Sequence, residues 1–140
     1  VFALPQTNLF LQSRNVATAP PRGLTAIDAL LDAGVTVGAG GDNVQDPFNL
    51  VGRSDPLETA ALMVMVGHRS PQVAYDMVSN APRMAMGLAP VNFQVGDPAD
   101  FVAIDATTLR SAIADAPMAR RTFTAGRLVA SANQQTTIHH

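Results

Sequence analysis

The sequence contains no cysteine. A disulfide scaffold and a thiolate metal centre are therefore excluded, and a reducing, cytoplasmic location is expected. Lysine is absent too, so arginine carries all the fixed positive side-chain charge. No stretch clusters those arginines with aromatic residues, and the adjacent pair Arg120–Arg121 is too little for a nucleic-acid footprint. Charged residues are scarce at 14%, against 47% hydrophobic, and the formal net charge is −2. For 140 residues that balance is rich in core and poor in surface, which fits part of a larger globular protein better than a free-standing domain. No apolar run reaches the roughly 20 residues of a membrane helix, so no membrane partner is expected. The opening "VFALPQTNLF" has no basic segment followed by an apolar one, so it is not a signal peptide. It also lacks an initiator methionine, and further sequence upstream is expected.

What is present has an α/β rhythm. "VFALP" reads as a short buried strand ended by Pro5, and "NLFLQSRNVATAPPRG" as a long polar loop. "LTAIDALLDAG" puts Leu24, Ile27, Leu30 and Leu31 on one helical face, with Gly34 where a C-terminal cap belongs. "VTVGA" follows as a strand, completing the pattern of a parallel α/β unit. Next, "DPLETAALMVMVG" predicts a deeply buried helix with Asp55 as cap, Pro56 in the first turn and Glu58 closing a capping box. "SPQVAYDMVSN" repeats the device with Ser70 and Pro71, and "APRMAMG" predicts a short helix stopped by Gly87. Met63, Met65, Met77, Met84 and Met86 on these helices read as core filler. Composition shifts near Leu88. Beyond it "FVAID" and "RTFTAGRLVA" are strand-rich, the second folding back at Ala125-Gly126 as a hairpin, with a helix in "TTLRSAIADA" between them. The expected division is residues 1–88, 89–134 and a polar tail, 135–140.

The chemistry-bearing residues gather in one stretch, "GVTVGAGGDN". Asp42 stands just past a predicted strand end, behind Gly40 and Gly41, which permit tight turns and leave room for a ligand. In parallel α/β folds, ligands gather at the C-terminal ends of strands. By position alone Asp42 is either such a functional carboxylate or a turn aspartate bonding its own backbone. Asn43, Gln45 and Asp46 share its loop, and Asp46-Pro47 is ordinary turn chemistry. Gln12 and Arg14 would face the same mouth if the two strands are parallel neighbours. His68, between Gly67 and Arg69, reads as a helix C-terminal histidine favoured by the dipole. "GAGGDN" lacks the lysine of a P-loop and the third glycine of a dinucleotide fingerprint, and no nucleophilic serine elbow occurs.

Taken in order, "FLQSR", "RGLTAIDALLDAGVTVGAGGDNVQDPF", "SNAPRMAMGL", "VGDPADFVAID" and "RTFTAGRLVA" resemble the C-terminal portion of an amidohydrolase-superfamily enzyme. Within that superfamily the likeness is greatest to cytosine deaminase and its relatives. The resemblance implies an α/β fold: the last units of a (β/α)₈ metal-dependent hydrolase barrel followed by a small β-rich domain. It implies a divalent metal, zinc or iron, and it places Asp42 at the family's aspartate after the eighth strand. There Asp42 would ligate the metal and accept the proton of its water, and the hydroxide would attack an amidine-like carbon with loss of ammonia. Gln12, Arg14, Asn43 and Phe48 match positions lining the substrate pocket.

Gly41 stands where cytosine deaminase has a histidine, Asn43 where a second aspartate follows, and Phe48 where a larger aromatic is usual. A smaller, less acidic mouth leaves other pyrimidines, triazines and creatinine-like rings open as the small heterocyclic substrate. The family's remaining metal ligands match nothing in these residues, so the segment alone is expected to be inactive. Exposed half-barrel faces imply association or a homo-oligomer. Two other readings stand beside the deaminase. One is a non-catalytic homologue used for assembly or binding; the other is an amidohydrolase cleaving a cyclic amide or an aryl halide.

Overall fold

Pro5 begins a helix rather than ending a strand, and this changes what surrounds the site. In the computed structural model, which describes residues 1–19 and 21–139, strand β1 is only Phe2–Ala3 and helix α1 runs Pro5–Leu11. Proline suits the first turn of a helix, where its missing amide would have no partner and its φ is already helical. The Asn8 amide donates to the Leu4 carbonyl at 3.0 Å, closing the first turn of a helix that runs on into the residues expected to be loop. The predicted long loop therefore shrinks to the stretch after Gln12; Pro20 within it lies outside the described residues, as does His140 in the tail.

Helix α2, Ile27–Asp32, starts later than the apolar spacing predicts. Ile27 is buried, but Leu31 at 38% exposure is not on the covered face. Gly34, at φ +73°, ends it: its amide bonds Leu31 and the Val35 amide bonds Leu30. Strand β2 then covers only Gly38–Ala39 of the expected "VTVGA". It pairs in parallel with β1, Phe2 opposite Gly38 and Ala3 opposite Ala39. Gly38 is required by close approach, because a Cβ there would stand 2.6 Å from the Phe2 ring.

Three helices follow: α3 (Pro56–Met65), α4 (Pro71–Val78) and α5 (Asn80–Ala85). Asp55 caps α3 through the Leu57 amide at 3.0 Å and Ser70 caps α4 through Val73 at 3.3 Å. Glu58 does not close the expected box. Its two oxygens go instead to the Arg53 amide and Nε, at 3.1 and 3.0 Å. Nor is α3 buried all round: Leu57, Thr59, Ala60 and Met63 face inward while Met65 is exposed. Of the methionines read as core, Met63 and Met77 are enclosed; Met65, Met84 and Met86 are not. Inside, the core is Ala3, Val37 and Ala39 with the inward faces of α3 and α4.

The chain divides into two units, Val1–Leu88 and Ala89–His140. The second carries an antiparallel sheet ordered β3 (Phe101–Ile104), β4 (Arg120–Thr124), β5 (Arg127–Ala132). Its hairpin turns at Ala125 and Gly126, both at positive φ, as a tight two-residue connection demands. Phe101 stacks on Phe123 at 4.7 Å, and Phe93 meets Phe101 edge-on. Helix α6, Leu109–Asp115, is held at its start by a reciprocal capping box between Thr108 and Ser111.

Candidate active site at the end of β2

Because β1 and β2 run parallel, the residues beyond them emerge at one end of the sheet. After β2 the chain passes Gly40 and Gly41, then turns left-handed twice, at Asp42 (φ 29°) and Asn43 (φ 62°). Aspartate and asparagine tolerate that region better than most residues. The Thr7 hydroxyl of α1 donates to the Asp42 carbonyl at 2.9 Å and fixes the turn from the neighbouring strand's side. The Asp42 carboxylate itself is exposed and takes no hydrogen bond or ion pair among the described residues.

The following loop is tied by polar groups. Asp46 Oδ1 accepts the amides of Phe48 and Asn49, at 2.8 and 3.0 Å, and its Oδ2 accepts from the Asn43 side chain. The Asn49 side chain donates back to the Asn43 carbonyl at 2.9 Å. Partial desolvation pulls the Asp46 pKa upward, but the Asn43, Phe48 and Asn49 donors outweigh it and hold the carboxyl below its ordinary 3.8. A depressed carboxyl stabilises the fold above the ordinary range, and that contribution is lost as pH falls through the folded value. Exchange at the Phe48 and Asn49 amides, corrected for intrinsic rates, is therefore expected to be slow while the Asp46 carboxyl is ionised and to speed up once acid protonates it, at a pH below its ordinary 3.8. Protection that persists at the lower pH would show that the main chain, not the carboxylate, closes the loop.

A cavity of about 420 Å³ opens beside this turn. Its wall includes Asp42 and Asn43 from the loop, Gln6 from α1, Asn49, and Glu58 and Thr59 from α3. Gln12, Arg14 and Phe48 lie outside its lining. The Gln12 carbonyl accepts from Arg22 at 2.7 Å and its side chain abuts Gly23. The Arg14 guanidinium packs 4.5 Å over the Phe10 ring, and Phe48 is half exposed on the loop. His68, exposed just past the end of α3, is outside the lining as well, and its neighbour Arg69 pairs with Asp28. Sequence reasoning missed Gln6, Thr7 and Thr59. The signal for the first two was Pro5 followed by polar residues, the start of a helix. Among the described residues no three His, Cys, Asp or Glu side chains come together to hold a metal. Asp42 can supply one carboxylate ligand, and the rest of such a set is not among them.

A sequence model described as "Amidohydrolase family" matches residues 1–130. The chain belongs to the amidohydrolase family. This amidohydrolase segment is 34% identical over 110 residues to a pterin deaminase of Rhizobium rhizogenes, covering 76% of the chain and 25% of that protein. Its fold matches the crystal structure of 5-methylcytosine deaminase from Klebsiella pneumoniae liganded with 5-fluorocytosine, with a TM-score of 0.80 at 21% identity. That match covers 99% of the chain and 35% of the deaminase. N-isopropylammelide isopropylaminohydrolase from Burkholderia multivorans aligns with a TM-score of 0.69 and 33% identity, over 81% of the chain and 30% of that enzyme. The amidohydrolase segment thus spans about a quarter to a third of each of these relatives. Among the described residues no helix is long and apolar enough to cross a membrane.

Proposed function

We propose that this chain is the C-terminal portion of a metal-dependent hydrolase that releases ammonia from a small nitrogen heterocycle. Residues 1–88 form the last βα units of a (β/α)₈ barrel, 89–134 a small β-rich domain, and 135–140 a tail. One observation carries the reading. An unpaired carboxylate, Asp42, stands at the C-terminal end of a parallel strand on the wall of a cavity large enough for a small ring. The names of the relatives support hydrolysis of a C–N bond, since they are a pterin deaminase, a 5-methylcytosine deaminase and an N-isopropylammelide isopropylaminohydrolase.

The amidohydrolase superfamily is generally metal-dependent, and a bound zinc or iron supplies Lewis acidity toward water and the ring carbon. Asp42 would hold that metal together with ligands from outside these residues, and its free oxygen would accept the proton of the attacking water. A C–O bond would form and the C–N bond break, with the proton taken by Asp42 passing to the departing nitrogen and the water's second proton to the ring nitrogen, so that ammonia leaves a ring carbonyl. The left-handed turn and the Thr7 bond keep the carboxylate aimed, and the Asp46 knot keeps the loop from collapsing onto it. Gln12, Arg14 and Phe48 act as outer pocket residues of the assembled enzyme, with Asn43 at the inner rim. Association across the exposed half-barrel faces completes the partner set.

The test is ammonia release by the metal-loaded, full-length enzyme from cytosine, isocytosine, pterin and creatinine, with a cyclic amide and an aryl chloride alongside. Release from at least one amino heterocycle is expected. Turnover confined to the cyclic amide or the chloride would replace the deaminase reading, and none at all would favour a non-catalytic homologue.

A further inference from the structure

Gln6 and Asp42 follow neighbouring strands, Gln6 in the first turn of α1 after β1 and Asp42 in the turn after β2. Ala3 and Ala39 are partners in the parallel ladder, and each of the two polar residues stands three positions beyond its partner. The Thr7 hydroxyl, bonded to the Asp42 carbonyl, ties the two segments side by side. Both residues line the same cavity. The Gln6 amide is fixed at one end, where Nε2 donates to the Thr59 hydroxyl at 2.8 Å. Its other end, Oε1, is enclosed and has no donor.

An enclosed carbonyl without a partner is an unfavourable arrangement that native structures seldom keep without a reason. The bond to the buried Thr59 hydroxyl accounts for the Nε2 end of this glutamine, but it leaves Oε1 stranded and so does not account for the whole amide. We propose that Gln6 is a specificity-determining residue, its carbonyl accepting a ring N–H of the heterocycle while Asp42 faces the carbon that is attacked. This rests on the deaminase reading and narrows its substrate class to rings that keep a donor at one nitrogen. A site built around a polar acceptor rejects the analogue lacking the matching donor, because the acceptor is then left unpaired.

Steady-state kinetics of the full-length enzyme test this with cytosine, isocytosine and pterin, each beside its ring-N-methyl analogue. Gln6→Leu is expected to raise KM about tenfold for the N–H ring, with a smaller change in kcat and unchanged metal content. For the methylated ring KM is expected to stay within about twofold. Gln6→Glu keeps an acceptor, and the Thr59 hydroxyl can donate to its second oxygen, so this variant is expected to recover most of the affinity. Where circular dichroism shows Gln6→Leu unfolded, Gln6→Met, which follows the glutamine's shape more closely, takes its place. An unchanged KM for the N–H ring overturns the assignment. Equal impairment by glutamate and leucine overturns it as well, since the amide would then be presenting Nε2. If the wild-type enzyme releases no ammonia from any ring, the deaminase reading fails and takes this one with it. Ammonia release with unaltered discrimination sinks Gln6 alone.

Discussion

Asp42→Asn in the full-length enzyme is expected to lower kcat by about a thousandfold, in line with the contribution of a positioned general base. The carboxamide matches the carboxylate in size, and the turn that carries it is held through the Asp42 main-chain carbonyl, which the substitution leaves in place. What changes is the ability to accept a proton and to offer a charged ligand. Metal content measured beside turnover separates those two roles. A variant that keeps its metal but loses turnover has lost the base; one that loses both has lost a ligand first. Near-wild-type turnover with full metal would remove Asp42 from the chemistry altogether.

The second large effect concerns the platform beneath the site. Met63 is fully enclosed on the inner face of α3, one turn beyond Thr59. Met63→Ala is expected to cost about 2–5 kcal/mol in equilibrium urea unfolding, from lost transfer energy plus the cavity left behind. Met65, two residues on and 63% exposed, is the control; its alanine variant is expected to change stability by less than about 0.5 kcal/mol. Comparable losses at both positions would mean that the outer face of α3 is covered in the assembled protein.

The contrast between those methionines shows where the sequence was legible. Spacing and caps located the helices: Asp55-Pro56 and Ser70-Pro71 each start one, and Gly34 and Gly87 end two others at positive φ. Local chemistry decides such boundaries, so the sequence states them. It does not say which side of a helix meets the core, and all five methionines looked alike until the fold turned Met63 and Met77 inward. The same ambiguity hid α1. Proline both ends strands and starts helices, and only the Asn8–Leu4 bond shows which role Pro5 plays. Asp42 stood out in the sequence because a strand end and a glycine pair come just before it. Gln6 did not, because its meaning depends on the β1–β2 register and on Thr59, 53 residues away. Gln12, Arg14 and Phe48 were read as pocket residues by resemblance, and none of the three lines the cavity beside Asp42.

The knot at Asp46 has an evolutionary consequence. Its ties run through two asparagine side chains, one carboxylate and main-chain amides. The side chains of Phe48, Leu50 and Val51 take no part in it and stand exposed. Gly52 is the opposite case, for a Cβ there would lie 2.5 Å from the Asn49 amide nitrogen. Drift and selection can therefore work on these two classes of position separately. The outer side chains are free to mutate and reshape the rim, while the anchoring residues hold Asp42 where it is. A lineage can reshape the rim of this cavity along the loop without first disturbing the turn that carries Asp42.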